Sequence, residues 1–185
     1  MNARHWLLVA HYLVKLIDVS RDFPRSIIDA VPRDARVGIV AARFNEHIVD
    51  GLLSGCLRRL TELGLNTDRV EVYRVPGAFE LPVAAKLLIE TKRVSAVICL
   101  GCIIRGDTPH FDFVAGEAAR GIQQVSLDSG IPVIFGVLTT NTEQQARDRV
   151  GGSHGHAGER AAEAALEMIA LVEFVHSQQG PSSDK

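Results

Sequence analysis

The sequence predicts an α/β fold, a three-layer sandwich in which a four-stranded parallel sheet is flanked by helices. Three observations predict it. Four short apolar runs, rich in β-branched residues, recur along the chain, and each is followed by a segment with apolar residues at helical spacing. That alternation forces neighbouring strands to pair in parallel through right-handed crossovers, which puts helices on both faces of the sheet. The chain has 185 residues and is 46% hydrophobic, enough for one domain with a core and too few for two.

Residues 36–43, RVGIVAAR, form the first buried strand. Asn45 is placed to cap the helix that follows, NEHIVDGLLSGCLRRLTELG. Its apolar residues Ile48, Leu52, Leu53, Cys56, Leu57 and Leu60 share one face, and Gly64 ends the pattern. VEVYRV is the second strand, broken by Pro76 and Gly77 before a second helix, LPVAAKLLIETK. AVICLGCII is the third strand and FDFVAGEAARGIQQVSLDSG the third helix. IPVIFGVLTT is the fourth strand, and Asn141 or Thr142 caps a short helix, TEQQARDRV. GGSHGHAG reads as a loop leading into a long Ala-rich helix, ERAAEAALEMIALVEFVHS. The folded domain is therefore placed at 36–178, after an N-terminal extension (1–35) and before a polar tail (179–185).

Composition excludes several classes. A formal charge of -2 leaves no basic excess for nucleic acid, and no apolar run has the length of a membrane span. The start of the chain, MNARHWLLVAHYLVKLIDVS, differs from a signal peptide: His11 interrupts the apolar stretch, Lys15 closes it, and no small-residue cleavage site follows. It reads as an amphipathic extension that either docks on a partner subunit or is a poorly ordered tail. Three cysteines, Cys56, Cys99 and Cys102, fit a reducing, cytoplasmic setting. Cys99 and Cys102 have CxxC spacing but lie inside a strand, where residues three apart face opposite ways, so redox chemistry is not expected. His154 and His156 lack further ligands for a metal site.

In doubly wound sheets, ligands sit at the carboxyl ends of the strands. That rule selects Arg43 to Asn45, Pro76 to Glu80, Cys102 to His110, and Leu138 to Thr142. Gly106-Asp107-Thr108 opens a helix whose unpaired N–H groups suit a phosphate, with the Thr108 hydroxyl added; an ordinary cap by Asp107 or Thr108 fits the same residues. His110 follows at the mouth, and histidine titrates near neutrality, as proton transfer requires; a helix histidine bonded to a neighbour is the alternative. Phe44 is either a stacking platform or a hydrophobic staple. Glu80 either receives amines and hydroxyls or complements a helix dipole. Arg149 is either a phosphate clamp or a C-terminal helix cation. Taken together, these residues suit cofactor-free condensation of a carbonyl with an amine on a phosphorylated small molecule. No Rossmann fingerprint or Walker loop is present.

Four segments carry a resemblance: GIVAARFNEHIVDGLLSGC, VPGAFELPVAAK, LGCIIRGDTPHFDFV and IPVIFGVLTTNTEQQA. In order and content they resemble the motifs of the lumazine synthase family, from about Arg36 to the C-terminal helix. The resemblance implies a flavodoxin-like fold, no cofactor and no metal. It also implies a reaction: 5-amino-6-(D-ribitylamino)uracil condenses with 3,4-dihydroxy-2-butanone 4-phosphate. A Schiff base forms, phosphate is eliminated, and ring closure gives 6,7-dimethyl-8-ribityllumazine, the penultimate step of riboflavin biosynthesis. Phe44 would stack on the pyrimidine. Ala78, Phe79 and Glu80 would line the ribityl and pyrimidine site, and Cys102, Ile103 and Ile104 would meet the pyrimidine mainly through backbone groups. Asp107 and Thr108 would hold the phosphate, Arg149 would clamp it, and His110 would move the proton. Phe135 matches a residue that the family contributes from a neighbouring subunit.

The family also implies a homopentamer, stacked in some members into decamers or a hollow sixty-subunit shell. The short loop between the last two helices is compatible with the shell. A functional link to riboflavin synthase follows from the product. The sequence departs from the family in one loop, where Ser153 and Ala157 stand at positions often occupied by lysine. Either substrate binding is weaker for it, or the nearby His154 and His156 restore part of that charge. Cys102 stands where threonine is frequent.

Overall fold

The computed structural model describes residues 31–32 and 34–178. The expected N-terminal extension lies largely, and the polar tail entirely, outside those residues. Strands β1 (Val37–Ala42), β2 (Val70–Val75), β3 (Ala96–Ile104) and β4 (Val133–Thr140) form one sheet in the order β2-β1-β3-β4. Every pairing is parallel, with Val37 opposite Val70 and Ala96, and Ile104 opposite Thr140. The crossovers run through α1 (Glu46–Glu62), α2 (Leu81–Glu90) and α3 (His110–Ser129). After β4 come α4 (Glu143–Arg147), a hairpin of β5 (Val150–Gly152) and β6 (Gly155–His156), and α5 (Ala157–Gln178).

The expected three-layer α/β architecture is what the chain adopts. Side chains of β3 show why. Ile98, Leu100 and Cys102 join a core with Leu52 and Leu60 of α1 and Leu166 and Ile169 of α5. Val97, Cys99 and Ile103 join a second core with Leu81 and Ala85 of α2 and Ala118 and Ile122 of α3. A strand with period two and both faces covered must be apolar throughout, as AVICLGCII is. Cys99 and Cys102 accordingly fall in different cores. Burial pushes the Cys99 thiol up to about 12 and the Cys56 thiol up to about 12. The Cys102 thiol is pushed up to about 11, mainly by burial and further by the Glu143 carboxylate.

Two local readings need correction. GGSHGHAG does not run as a loop into α5: Val150 pairs with His156 and Gly152 with Gly155 in an antiparallel hairpin. Gly151 and Gly155 take positive φ, 97° and 72°, which lets so short a hairpin turn. Asn45 takes the cap position of α1, but in the left-handed region (φ 58°, ψ 41°) and without a side-chain bond to the helix. Thr142, by contrast, caps α4 as expected, its hydroxyl accepting from the Gln145 N–H.

The two helices on one face approach to backbone contact. A Cβ at Gly158 of α5 would lie 2.1 Å from the Leu52 carbonyl oxygen of α1. Since backbone cannot step aside as a side chain can, Gly158→Ala is expected to destabilise the fold by about 1–3 kcal/mol. Chemical denaturation with an unchanged m-value would measure this.

Candidate active site

The cleft lies where the sheet order reverses, between β1 and β3. From that point α1 leaves toward the face shared with α5, and α3 toward the face shared with α2. Backbone bonds join the strand ends. The Arg43 N–H donates to the Val75 carbonyl at 2.8 Å and the Phe44 N–H to the Pro76 carbonyl at 3.1 Å, tying β1 to the end of β2. Asn45 then turns the chain, and its Nδ2 donates to the Cys102 carbonyl at 2.9 Å, tying β1 to β3. Held on both sides, Phe44 projects into the cleft 69% exposed.

The Pro76–Glu80 segment is closed by its own carboxylate. Glu80 Oε2 accepts the Gly77 N–H at 2.8 Å, and Ala78–Glu80 form a 3₁₀ turn leading into α2. Phe79 is 56% exposed. At the end of β3, Pro109 occupies the cap position of α3, and no side chain caps that helix. The Thr108 hydroxyl is near, receiving the His110 N–H at a long 3.4 Å. Pro109 rather than Asp107 or Thr108 takes the cap position, and beyond that one long Thr108 bond no side-chain cap is made to the positive helix end that faces the turn.

These segments enclose a cavity of about 440 Å³. Nine of the sequence-predicted residues line it: Phe44, Ala78, Phe79, Glu80, Cys102, Ile103, Ile104, Thr108 and His110. Three do not. Asp107 is exposed on the turn but outside the cavity lining. Arg149 lies beyond α4, and its Nη1 donates to the Gln145 carbonyl at 2.8 Å. Phe135 sits on β4, an edge strand, 43% exposed. The fourth strand end, Leu138 to Thr142, also contributes nothing to the lining.

Sequence reasoning missed Arg105. Its backbone N–H donates to the Thr140 carbonyl at 2.9 Å, its Nε to Asn141 Oδ1 at 3.2 Å, and its Nη1 and Nη2 to the two Asp112 carboxylate oxygens at 3.2 and 2.8 Å. The guanidinium also stacks 4.1 Å from the centre of the Phe111 ring, which lines the cavity. The pair brackets the Gly106–Pro109 turn, and the Arg105 hydrogen bonds hold the Asp112 carboxyl below its ordinary range. An Arg and an Asp on either side of a glycine turn were the available signal.

A family model described as 6,7-dimethyl-8-ribityllumazine synthase matches residues 34–173. The chain belongs to the lumazine synthase family. A relative from Syntrophus aciditrophicus (strain SB), named 6,7-dimethyl-8-ribityllumazine synthase, is 49% identical over 142 residues, covering 77% of this chain and 92% of that protein. The residues matched by the family model, 34–173, span every strand and every element lining the cavity. Among the described residues no group of three or more His, Cys, Asp or Glu side chains is placed to hold a metal ion, and no helix is long and apolar enough to cross a membrane.

Arg105→Lys keeps the charge but loses the two-pronged contact to Asp112. It is expected to raise hydrogen exchange across residues 105–112 while leaving the β1 and β3 amides protected, as read by exchange mass spectrometry.

Proposed function

We propose that this chain condenses 5-amino-6-(D-ribitylamino)uracil with 3,4-dihydroxy-2-butanone 4-phosphate to 6,7-dimethyl-8-ribityllumazine, releasing phosphate and water, in the penultimate step of riboflavin biosynthesis. One observation carries the reading. A chain of this family brings nine dispersed residues, from the ends of three strands, around a single cleft of small-molecule size.

In this reading the pyrimidine stacks on Phe44, and its edge meets the backbone of Cys102 to Ile104. Ala78, Phe79 and Glu80 line the ribityl side, where a carboxylate suits hydroxyl donors. The phosphate lies at the uncapped start of α3, beside Thr108 and the Asp107 backbone. The exocyclic amine adds to the ketone, and water leaves as the Schiff base forms. A proton is then removed from carbon, the electron pair moves toward the departing oxygen, and phosphate is expelled. The enol left behind takes a proton on its terminal carbon and becomes a methyl ketone, and the ribitylamino nitrogen closes the ring on that new carbonyl with loss of a second water. His110 opens α3 two residues after Thr108, so base and leaving group share one junction. No step calls for a cofactor or a metal.

Arg149 and Phe135 lie outside this chain's own cavity, and both are at least partly exposed. They are supplied across a subunit boundary: the working unit is a homo-oligomer built from pentamers, with the sixty-subunit shell as its larger form. The setting is cytoplasmic, and the product is passed to riboflavin synthase.

Purified protein given both substrates is expected to produce lumazine absorbance. His110→Ala lowers kcat by about 10²–10⁴-fold, the usual scale for a lost general acid–base group. Arg149→Ala raises KM for the phosphorylated substrate about ten- to hundredfold, the scale of a lost bond to a charged group. Tight binding of the lumazine product without turnover would instead make the chain a silent binding relative.

A further inference from the structure

His156 does not replace the missing loop lysines as an exposed charge. Its ring turns inward against α1, where Gly51 and Gly55, one helical turn apart, leave a notch. A Cβ at Gly51 would fall 2.4 Å from Val150 Cγ1, and one at Gly55 would fall 2.0 Å from His156 Cε1. Val150 and His156 are partners across the β5–β6 hairpin, so one rung of the hairpin fills the notch. His156 Nδ1 is buried there with no hydrogen-bond partner among the described residues.

Arg149 is held by the same rung. It adjoins Val150, and its carbonyl accepts the Ala157 N–H, next to His156, at 2.8 Å. We infer that His156 is a positioning residue: as a wedge it seats the β5–β6 hairpin in the Gly51–Gly55 notch and thereby fixes where Arg149 is presented. The consequence for binding rests on the phosphate role proposed above for Arg149.

The charged groups facing the ring are Arg58 from α1 and Glu159 and Arg160 from α5. Glu159 is already ion-paired with Arg58, and Arg160 Nη1 donates to the His154 carbonyl at 3.3 Å. Burial holds the imidazole pKa below its ordinary value; Glu159 opposes this, while Arg58 and Arg160 reinforce it. Because the folded value is the lower one, the unfolded hairpin binds more protons below neutrality. The seat's contribution is complete above the unfolded value of about 6.5 and is lost as pH falls through the folded value.

The test uses the full chain, His156→Asn and Gly55→Ala. Hydrogen exchange over residues 148–157, corrected for intrinsic rates, is compared between about pH 7.5 and 5.5, the range in which histidine titrates. Both Michaelis constants are measured alongside. In the native chain, exchange there accelerates several-fold in acid. KM for the phosphorylated substrate rises with it, and KM for the pyrimidine does not. In His156→Asn the acid-linked exchange vanishes, and KM keeps only the pH dependence of the substrate's own phosphate. Gly55→Ala, which crowds the ring, exchanges fast at every pH; should it fail to fold, His156→Asn decides alone. The inference is overturned if His156→Asn keeps the native pH dependence of exchange, or if exchange changes without the phosphate-specific KM. A native chain with no turnover defeats the functional reading only, since exchange still decides the seat.

Discussion

At the carboxyl edge of the sheet, β1 and β3 are adjacent strands whose helices leave toward opposite faces. That divergence opens a crevice and strands backbone groups that a continuous layer would have covered. Buried or half-buried carbonyls there need donors. Asn45 supplies one by giving up its capping role: it turns the chain in a left-handed conformation and reaches across to the Cys102 carbonyl. The Arg43 and Phe44 amides make the matching connection to the end of β2. An aromatic between two such anchors has little choice of direction. The cleft is a by-product of sheet topology that three hydrogen bonds keep open and in shape.

The opposite wall depends on geometry more than on stability. Arg105 and Asp112 are both solvent-exposed, and exposed pairs of this kind add little to folding free energy. Their value is directional. A planar guanidinium bonded to Asn141 and Asp112 and stacked on Phe111, with the Arg105 backbone N–H bonded to the Thr140 carbonyl, leaves the short turn few conformations. The uncapped start of α3 is thereby presented from a fixed place, while the apolar cores beneath carry the energetic load.

Much of this was legible in the chain. Four β-branched runs alternating with helical patterns determine a parallel sheet, and the strand-end rule then leads directly to Phe44, Glu80, Thr108 and His110. What escaped has physical reasons. The β5–β6 hairpin is glycine-rich and two or three residues per strand, too short for alternation to register. Asn45 satisfies every compositional criterion for a cap, and only the position of the Cys102 carbonyl, distant in sequence, diverts its side chain. Arg105 acts through partners on a helix and on another strand's loop. His156 looks like a polar loop residue until the glycines of α1 show where its ring goes. The fourth strand end obeys the rule in sequence but lies one strand away from the reversal, so it lines nothing. Arg149 and Phe135 stand apart from the cleft of their own chain, a separation that no local pattern reveals.

The alternation of β3 has a chemical corollary. Cys99 and Cys102 are three residues apart on an extended strand, about 10 Å along the backbone, and they point into different cores. A disulfide spans Cα atoms no more than about 7 Å apart, so oxidation cannot join them while the sheet persists. Both thiols are also held in the unreactive protonated form. The central strand that forms the floor of the cleft is thus closed to an internal disulfide for as long as the sheet holds.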